Sequence, residues 1–181
     1  MRRSVAEFFE ALGLAAVAAV LIIGFVAQSF LVLGQSMEPS LHHGERLLVD
    51  KLSYRFREPE RGEVIVFRVA GSSPRKLVKR VIGLPGDIIE FRDGQVILNG
   101  QPLSEPYASG PTVGPRQAQV VPPGRYFVLG DNRGHSEDSR FEEVGFVSRR
   151  AIIGRALWVY WPPQRAGPVS VPASLAATRR E

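Results

Sequence analysis

The chain of 181 residues has no cysteine. That excludes disulfides, thiolate zinc sites and a cysteine nucleophile, and it suits a domain that folds outside the cytoplasm without covalent staples. Histidine is almost as scarce. His42, His43 and His135 are all there is, too few and too scattered for a metal centre, so neither a metal nor a cofactor is expected. There is no block of five or six like charges. The net charge of +5 is spread along the chain and reads as membrane proximity or a solvated surface, not as a nucleic-acid footprint. Internal repeats are missing, and so is helical periodicity beyond residue 35. A hydrophobic share of 44% excludes disorder by composition.

Charge is absent altogether from Ala11 to Met37. Within that stretch Leu12–Leu33 would make a helix of about 33 Å at about 1.5 Å per residue, enough for a hydrocarbon core of about 30 Å. Arg2 and Arg3 precede it and place the N-terminus in the cytoplasm. Arg46, Lys51 and Arg55 follow it and oppose that asymmetry, but a folded domain translocates largely regardless of charge. Two other readings compete: a signal peptide cleaved near Phe25-Val26-Ala27, and a buried core helix. The run is longer than the usual h-region of about 7–15 residues, and it lacks the polar periodicity of a core helix. The expected organisation is a cytoplasmic N-terminus and single-pass anchor over residues 1–33, an extracytoplasmic domain over 34–165 and a loose tail over 166–181.

Beyond the anchor, short Val-, Ile- and Phe-rich runs alternate with Gly, Pro, Asp and Asn. Glu63–Val69, Lys76–Ile82, Ile88–Phe91, Gln95–Leu98, Arg125–Leu129 and Ala156–Trp161 read as strands. Asp93-Gly94 and Asn99-Gly100 mark turns whose two central residues both need positive φ. Ser104–Pro123 reads as a long surface loop. The expected fold is mainly β, an antiparallel domain behind one N-terminal transmembrane helix.

Three clusters could carry chemistry. Ser36 lies in Gly34-Gln-Ser-Met-Glu-Pro-Ser-Leu41, just past the membrane end; alone, such a serine is more often a turn or cap residue. A hydroxyl nucleophile needs a base. Histidine is the usual one, and a triad of Ser36, His135 and Asp131 or Asp138 is conceivable. Lysine serves only when burial lowers its pKa from about 10.4. In Lys76–Leu84 strand alternation puts Leu77, Lys79 and Val81 on one face and Val78, Arg80 and Ile82 on the other, so each basic residue sits among apolar neighbours. Arg80 cannot deprotonate, whereas Lys79 can; its bland alternative is a snorkelling lysine. The third cluster, Gly130–Arg140, packs Asp131, Asn132, Arg133, Ser136, Asp138 and Arg140 into one polar loop. It is either a rigid, internally paired turn or a solvated one.

Taken together and in order, these clusters resemble the bacterial type I signal peptidase, or leader peptidase, family of Ser/Lys-dyad serine proteases. Ser36–Leu41 is similar to the nucleophile box, Arg61–Phe67 to a structural strand with Glu63 where Asp is common, Lys79–Asp87 to the general-base box, and Gly130–Arg140 to the last box. The resemblance runs from the anchor to about Pro162. It implies Ser36 as nucleophile, Lys79 as base, and Ser136 hydrogen-bonded to the Lys79 amine. Asp138, Arg140, Asp131 and Arg133 would shape the supporting loop. The backbone N–H of Ser36 would donate to the oxyanion, while Gly34 lacks the hydroxyl that some members use as a second donor.

The resemblance also implies a membrane-bound endopeptidase that removes signal peptides after Ala-x-Ala sites through an acyl-enzyme. Its partners would be secretory preproteins delivered by the export machinery and the lipid bilayer of the plasma membrane, with no nucleic acid. Met37, Leu41, Leu77 and Val78 are expected as walls of the substrate pockets, and Trp158, Tyr160 and Trp161 as interfacial contacts. The rival from another class is a membrane-tethered β-domain that binds a partner without catalysis.

Overall fold

The computed structural model describes residues 9–14, 26–69 and 75–176. Twelve strands run in the order β1 (Ala27–Leu31), β2 (Arg46–Asp50), β3 (Val64–Val69), β4 (Arg75–Gly83), β5 (Ile88–Arg92), β6 (Gln95–Leu98), β7 (Gln101–Pro102), β8 (Gln119–Val120), β9 (Arg125–Leu129), β10 (Val147–Ser148), β11 (Ile152–Trp161) and β12 (Gly167–Pro168). They form two antiparallel sheets. The larger has eight strands in the order β1-β2-β11-β3-β4-β9-β10, with β12 on β11; the smaller has four, β7-β6-β5-β8. The mainly β, antiparallel expectation therefore holds.

Alternation explains how the sheets bury their faces. On β4, Leu77 and Val81 join a cluster with Ile65, Phe67, Tyr126 and Val128. Val78 turns the other way, toward Met37, Leu41, Leu47 and Val66. Ile82 enters a third cluster with Ile89, Phe127 and Leu129, between the two sheets. Both turns take the backbone read from sequence, with φ of 50° and 76° at Asp93-Gly94 and 51° and 81° at Asn99-Gly100. The register Glu90↔Ile97 and Phe91↔Val96 follows from the first turn.

Several sequence expectations need correction. The end of the apolar run is not helix. Residues 9–14 are helical and 15–25, which carry most of the expected span, lie outside the described residues, but Ala27–Leu31 is a strand paired with β2. Gln28 and Ser29 interrupt the apolar run there. Phe30 packs on the core, while the Ser29 hydroxyl meets the Tyr160 hydroxyl at 2.6 Å on the other face. Among the described residues no helix is long and apolar enough to cross a membrane.

The tail is not loose as far as residue 176. β12 pairs with β11, the Ser170 carbonyl accepts from Arg80, and Leu175 is fully buried. Composition hid this because Gly, Pro and Ala dominate a segment held mainly by its backbone. The Ser104–Pro123 loop is likewise tied down, with Thr112 and Val121 buried and Ser109 bridged to Asn132.

Candidate active site

Ser36 sits in the turn that follows β1, and Lys79 lies on β4. Lys79 Nζ is 2.6 Å from Ser36 Oγ. Lys79 is 2% exposed, and burial lowers its pKa to about 8, against the opposing pull of Asp138, Glu137 and Asp131. About a tenth of the side chain is then neutral at pH 7, against well under a thousandth for an ordinary lysine. The next residue, Arg80, points to the other face. Its guanidinium holds both oxygens of Asp131, at 2.9 and 2.6 Å, and donates to the Gly62 carbonyl at 2.8 Å. Two adjacent buried cations thus have opposite fates: one is neutralised by a carboxylate, the other has no carboxylate in contact and gives up its proton more easily.

The last box closes over this pair. The backbone N–H of Asn132 donates to the Ser36 carbonyl at 3.1 Å, and its side-chain amide to the Gln35 carbonyl at 3.2 Å. Asp138 accepts from the Gly130 N–H at 3.0 Å and from Arg140 at 2.8 and 2.9 Å. Arg140 in turn donates to the Arg133 carbonyl at 2.9 Å. Arg133 reaches out of the loop, to Glu105 at 2.7 and 2.8 Å and to Thr112 at 2.6 Å. Only the Asp138–Arg140 pair is internal to the loop; Asp131 and Arg133 pair with residues outside it.

Ser136 is buried, and its hydroxyl has no hydrogen-bond partner. The expected Ser136–Lys79 hydrogen bond is therefore not formed in this structure. Gly130 shows how close these parts lie. A Cβ built there would overlap both the Ser136 hydroxyl and the Ser36 carbonyl oxygen. The orphaned Ser136 hydroxyl and the loop bearing Ser36 thus press on one point of the backbone.

The histidine alternative gains no geometric support. His135 is exposed and bonds weakly to Asn132 at 3.4 Å, while Asp131 and Asp138 are taken by Arg80 and Arg140. His43 Nδ1 accepts from the Gly34 N–H at 3.0 Å. No group of His, Asp and Glu among the described residues could hold a metal.

Met37 and Leu41 also need correction. Each is 1% exposed inside the core, so neither offers a surface to a bound peptide. Leu77 and Val78 are half-buried. They lie where β4 pairs with β3 on one edge only, since β9 joins from Arg80 onward. Glu105 and Thr112 were missed, and Asn132 was read only as a member of the polar loop, with no role of its own. A single Asn, Glu or Thr in a polar loop carries no periodic signal, and only the folded chain brings them to the site.

The family model described as signal peptidase, peptidase S26, matches residues 5–161. Signal peptidase I of Leptolyngbya laminosa is 40% identical over 93% of this chain and 85% of its own length. That of Bacillus licheniformis is 37% identical over 89% and 91%. A crystal structure of a signal peptidase I from Enterococcus faecalis V583 aligns with a TM-score of 0.44 at 33% identity, covering 55% of this chain and 97% of that one. The matched span contains both Ser36 and Lys79, and the chain belongs to the signal peptidase S26 family.

Proposed function

We propose that this protein is a membrane-anchored signal peptidase I that cuts exported preproteins after Ala-x-Ala sites, with Ser36 as nucleophile and Lys79 as general base. The observation that carries the assignment is the 2.6 Å contact between Lys79 Nζ and Ser36 Oγ in a buried setting. When Nζ loses its proton the contact reverses, and the hydroxyl donates to the amine. Ser36 Oγ then attacks the scissile carbonyl carbon as its proton passes to Lys79. The backbone N–H of Ser36 stabilises the oxyanion. Collapse of the tetrahedral adduct breaks the C–N bond, the proton passes from Lys79 to the leaving amine, and an ester remains on Ser36. Lys79 next deprotonates a water that hydrolyses the ester.

The substrate strand would add to the edge of β4 at Arg75–Lys79 that no described strand pairs, by β-augmentation, with Leu77 beside its side chains on one face of the sheet and Val78 on the other. Ser136 would supply a hydroxyl to the amine after a rotamer change, and Asp138, Arg140, Asp131 and Arg133 would hold the loop around it.

The anchor belongs to the same proposal, shortened by the start of β1. The part of the expected span at residues 15–25 lies outside the described residues, and β1 takes over the end of it from Ala27. The N-terminus would be cytoplasmic and the β-domain extracytoplasmic. Trp158, Tyr160 and Trp161, between 40% and 53% exposed on β11, suit the interface.

The test is cleavage of a preprotein bearing an Ala-x-Ala site by the full chain in detergent, with the cut placed by mass spectrometry. Wild type should cut after the second Ala, and Ser36→Ala should not. No cut by wild type would sink the proposal and leave the non-catalytic β-domain.

A further inference from the structure

We propose that Lys76 and Arg68 select for charge in the peptide upstream of the cut, favouring an acidic side chain there over a basic one; this rests on the anchored-peptidase reading above. Three strands separate β1 from β4 in the larger sheet, yet Lys76 Nζ lies over the Phe30 ring, 5.4 Å from its centre. The sheet therefore curls until β1 faces β4 across a cleft. Phe30, Val78 and Ile153 all pack on the core cluster on that side.

Lys76 stands two residues before Val78 on β4, so alternation puts both side chains on one face. Arg68 is the register partner of Lys76 on β3 and shares that face, two residues beyond Val66 of the same cluster. Both cations are exposed, and among the described residues neither contacts a carboxylate. The adjacent Arg75 differs: it emerges on the other face and is paired with Glu137. Arg68 also borders a cavity of about 310 Å³ together with Gln28, Lys51 and Arg55. Gln28 stands two residues before Phe30 on β1, so this cavity opens on the same face. Arg149 borders it too but is partnered by Glu58 at 3.0 Å. Among the described residues Lys51 and Arg55, like Lys76 and Arg68, contact no carboxylate. The end of the cleft away from Ser36 is therefore positive, with no counter-charge of its own.

The direction of the chain says which part of a substrate meets this charge. β1 leads from Val26, at the anchor end, to the turn bearing Ser36. A substrate whose signal segment is still in the bilayer runs from Ser36 back along β1, so the residues before the cut lie toward Gln28. Lys76 is three residues from Lys79 on β4, about 10 Å at about 3.4 Å per residue. It meets side chains a few residues before the cut, upstream of the small residues themselves. In the free enzyme its ammonium rests on Phe30. A substrate carboxylate gives it a stronger partner, whereas a substrate lysine meets two like charges.

The test measures kcat/KM of the full chain in neutral-detergent micelles. The substrates are preproteins identical except for Glu, Gln or Lys at the fourth, fifth or sixth residue before the cut. At one or more of these positions the order should be Glu over Gln over Lys, with roughly tenfold between the extremes. Lys76→Gln/Arg68→Gln should level the three while still cutting the Gln substrate, and Lys76→Glu/Arg68→Glu should reverse the order. Arg92→Gln/Arg116→Gln, which takes two exposed cations from elsewhere, should leave it. Equal rates in wild type at all three positions, or an order that survives the first double variant or is lost in the Arg92/Arg116 one, overturns the proposal. So does an effect of the first double variant that is the same for all three substrates and appears only when phosphatidylglycerol is added, which would turn these cations toward the membrane. Efficient cleavage with no order defeats the charge selection alone. No cleavage of any substrate defeats the peptidase reading, and the selection with it.

Discussion

Lys79 and Arg80 are neighbours with nearly equal burial, 2% and 1% exposed, and differ both in chemistry and in what they face: Arg80 meets the Asp131 carboxylate, Lys79 the Ser36 hydroxyl. If neutral Lys79 is the base, kcat/KM should fall about tenfold per pH unit below pH 8; a profile flat to pH 5 would exclude it. The same burial has a stability consequence. A lysine moved from 10.5 to about 8 costs the folded state about 3 kcal/mol while it is charged. Its folded pKa lies below its unfolded one, so between pH 8 and 10.5 the unfolded chain binds the extra proton and stability rises with pH. Lys79→Met should therefore abolish cleavage yet raise the urea midpoint at pH 7, with a smaller gain at pH 10. The sequence already pointed to Lys79, since both faces of its strand were apolar and arginine cannot deprotonate. It placed Asn132 in the polar loop but gave it no task, because its two bonds to the Ser36 loop depend on a backbone fold that no local pattern encodes.

Strands β3 to β6 and β9 were legible because alternation and Asp-Gly and Asn-Gly turns are local signals. β1 was not, because its residues continue an apolar run and only pairing with β2 makes it a strand. β7, β8, β10 and β12 have two residues each, too few for a period. At this scale the Ser104–Pro123 loop works as a strut through Glu105. Glu105→Ala would leave the fully buried Arg133 without its carboxylate and should cost about 3 kcal/mol, read as a shift in urea midpoint. Gly130→Ala tests the meeting point of the two loops. Its Cβ has no room beside Ser136 and Ser36, so the overpacked variant should lose about 1–3 kcal/mol and cleave at least a hundredfold more slowly. An alanine variant as active as wild type would mean that the loops can part without harm.

Among the described residues the molecule is two sheets, held by buried ion pairs and by residues 167–176, which return to the larger sheet. Arg61 holds Asp87 at 2.9 Å and Arg80 holds Asp131 at 2.6 Å, so the charged residues of separate sequence motifs meet as partners. That is why the motifs could be read in order without revealing which charges pair. Removing residues 167–181 would take away Leu175 and the Ser170 carbonyl that Arg80 uses. The truncated chain should still fold but lose about 3 kcal/mol, measurable by urea unfolding. β1 also has a bearing on the molecule's placement. It is a rigid rod of about 17 Å at about 3.4 Å per residue, locked in register to β2 between Val26 and the turn bearing Ser36. Under the proposed anchoring this rod acts as a ruler: it sets the nucleophile at one height above the bilayer, and bonds at other heights escape the cut whatever their sequence.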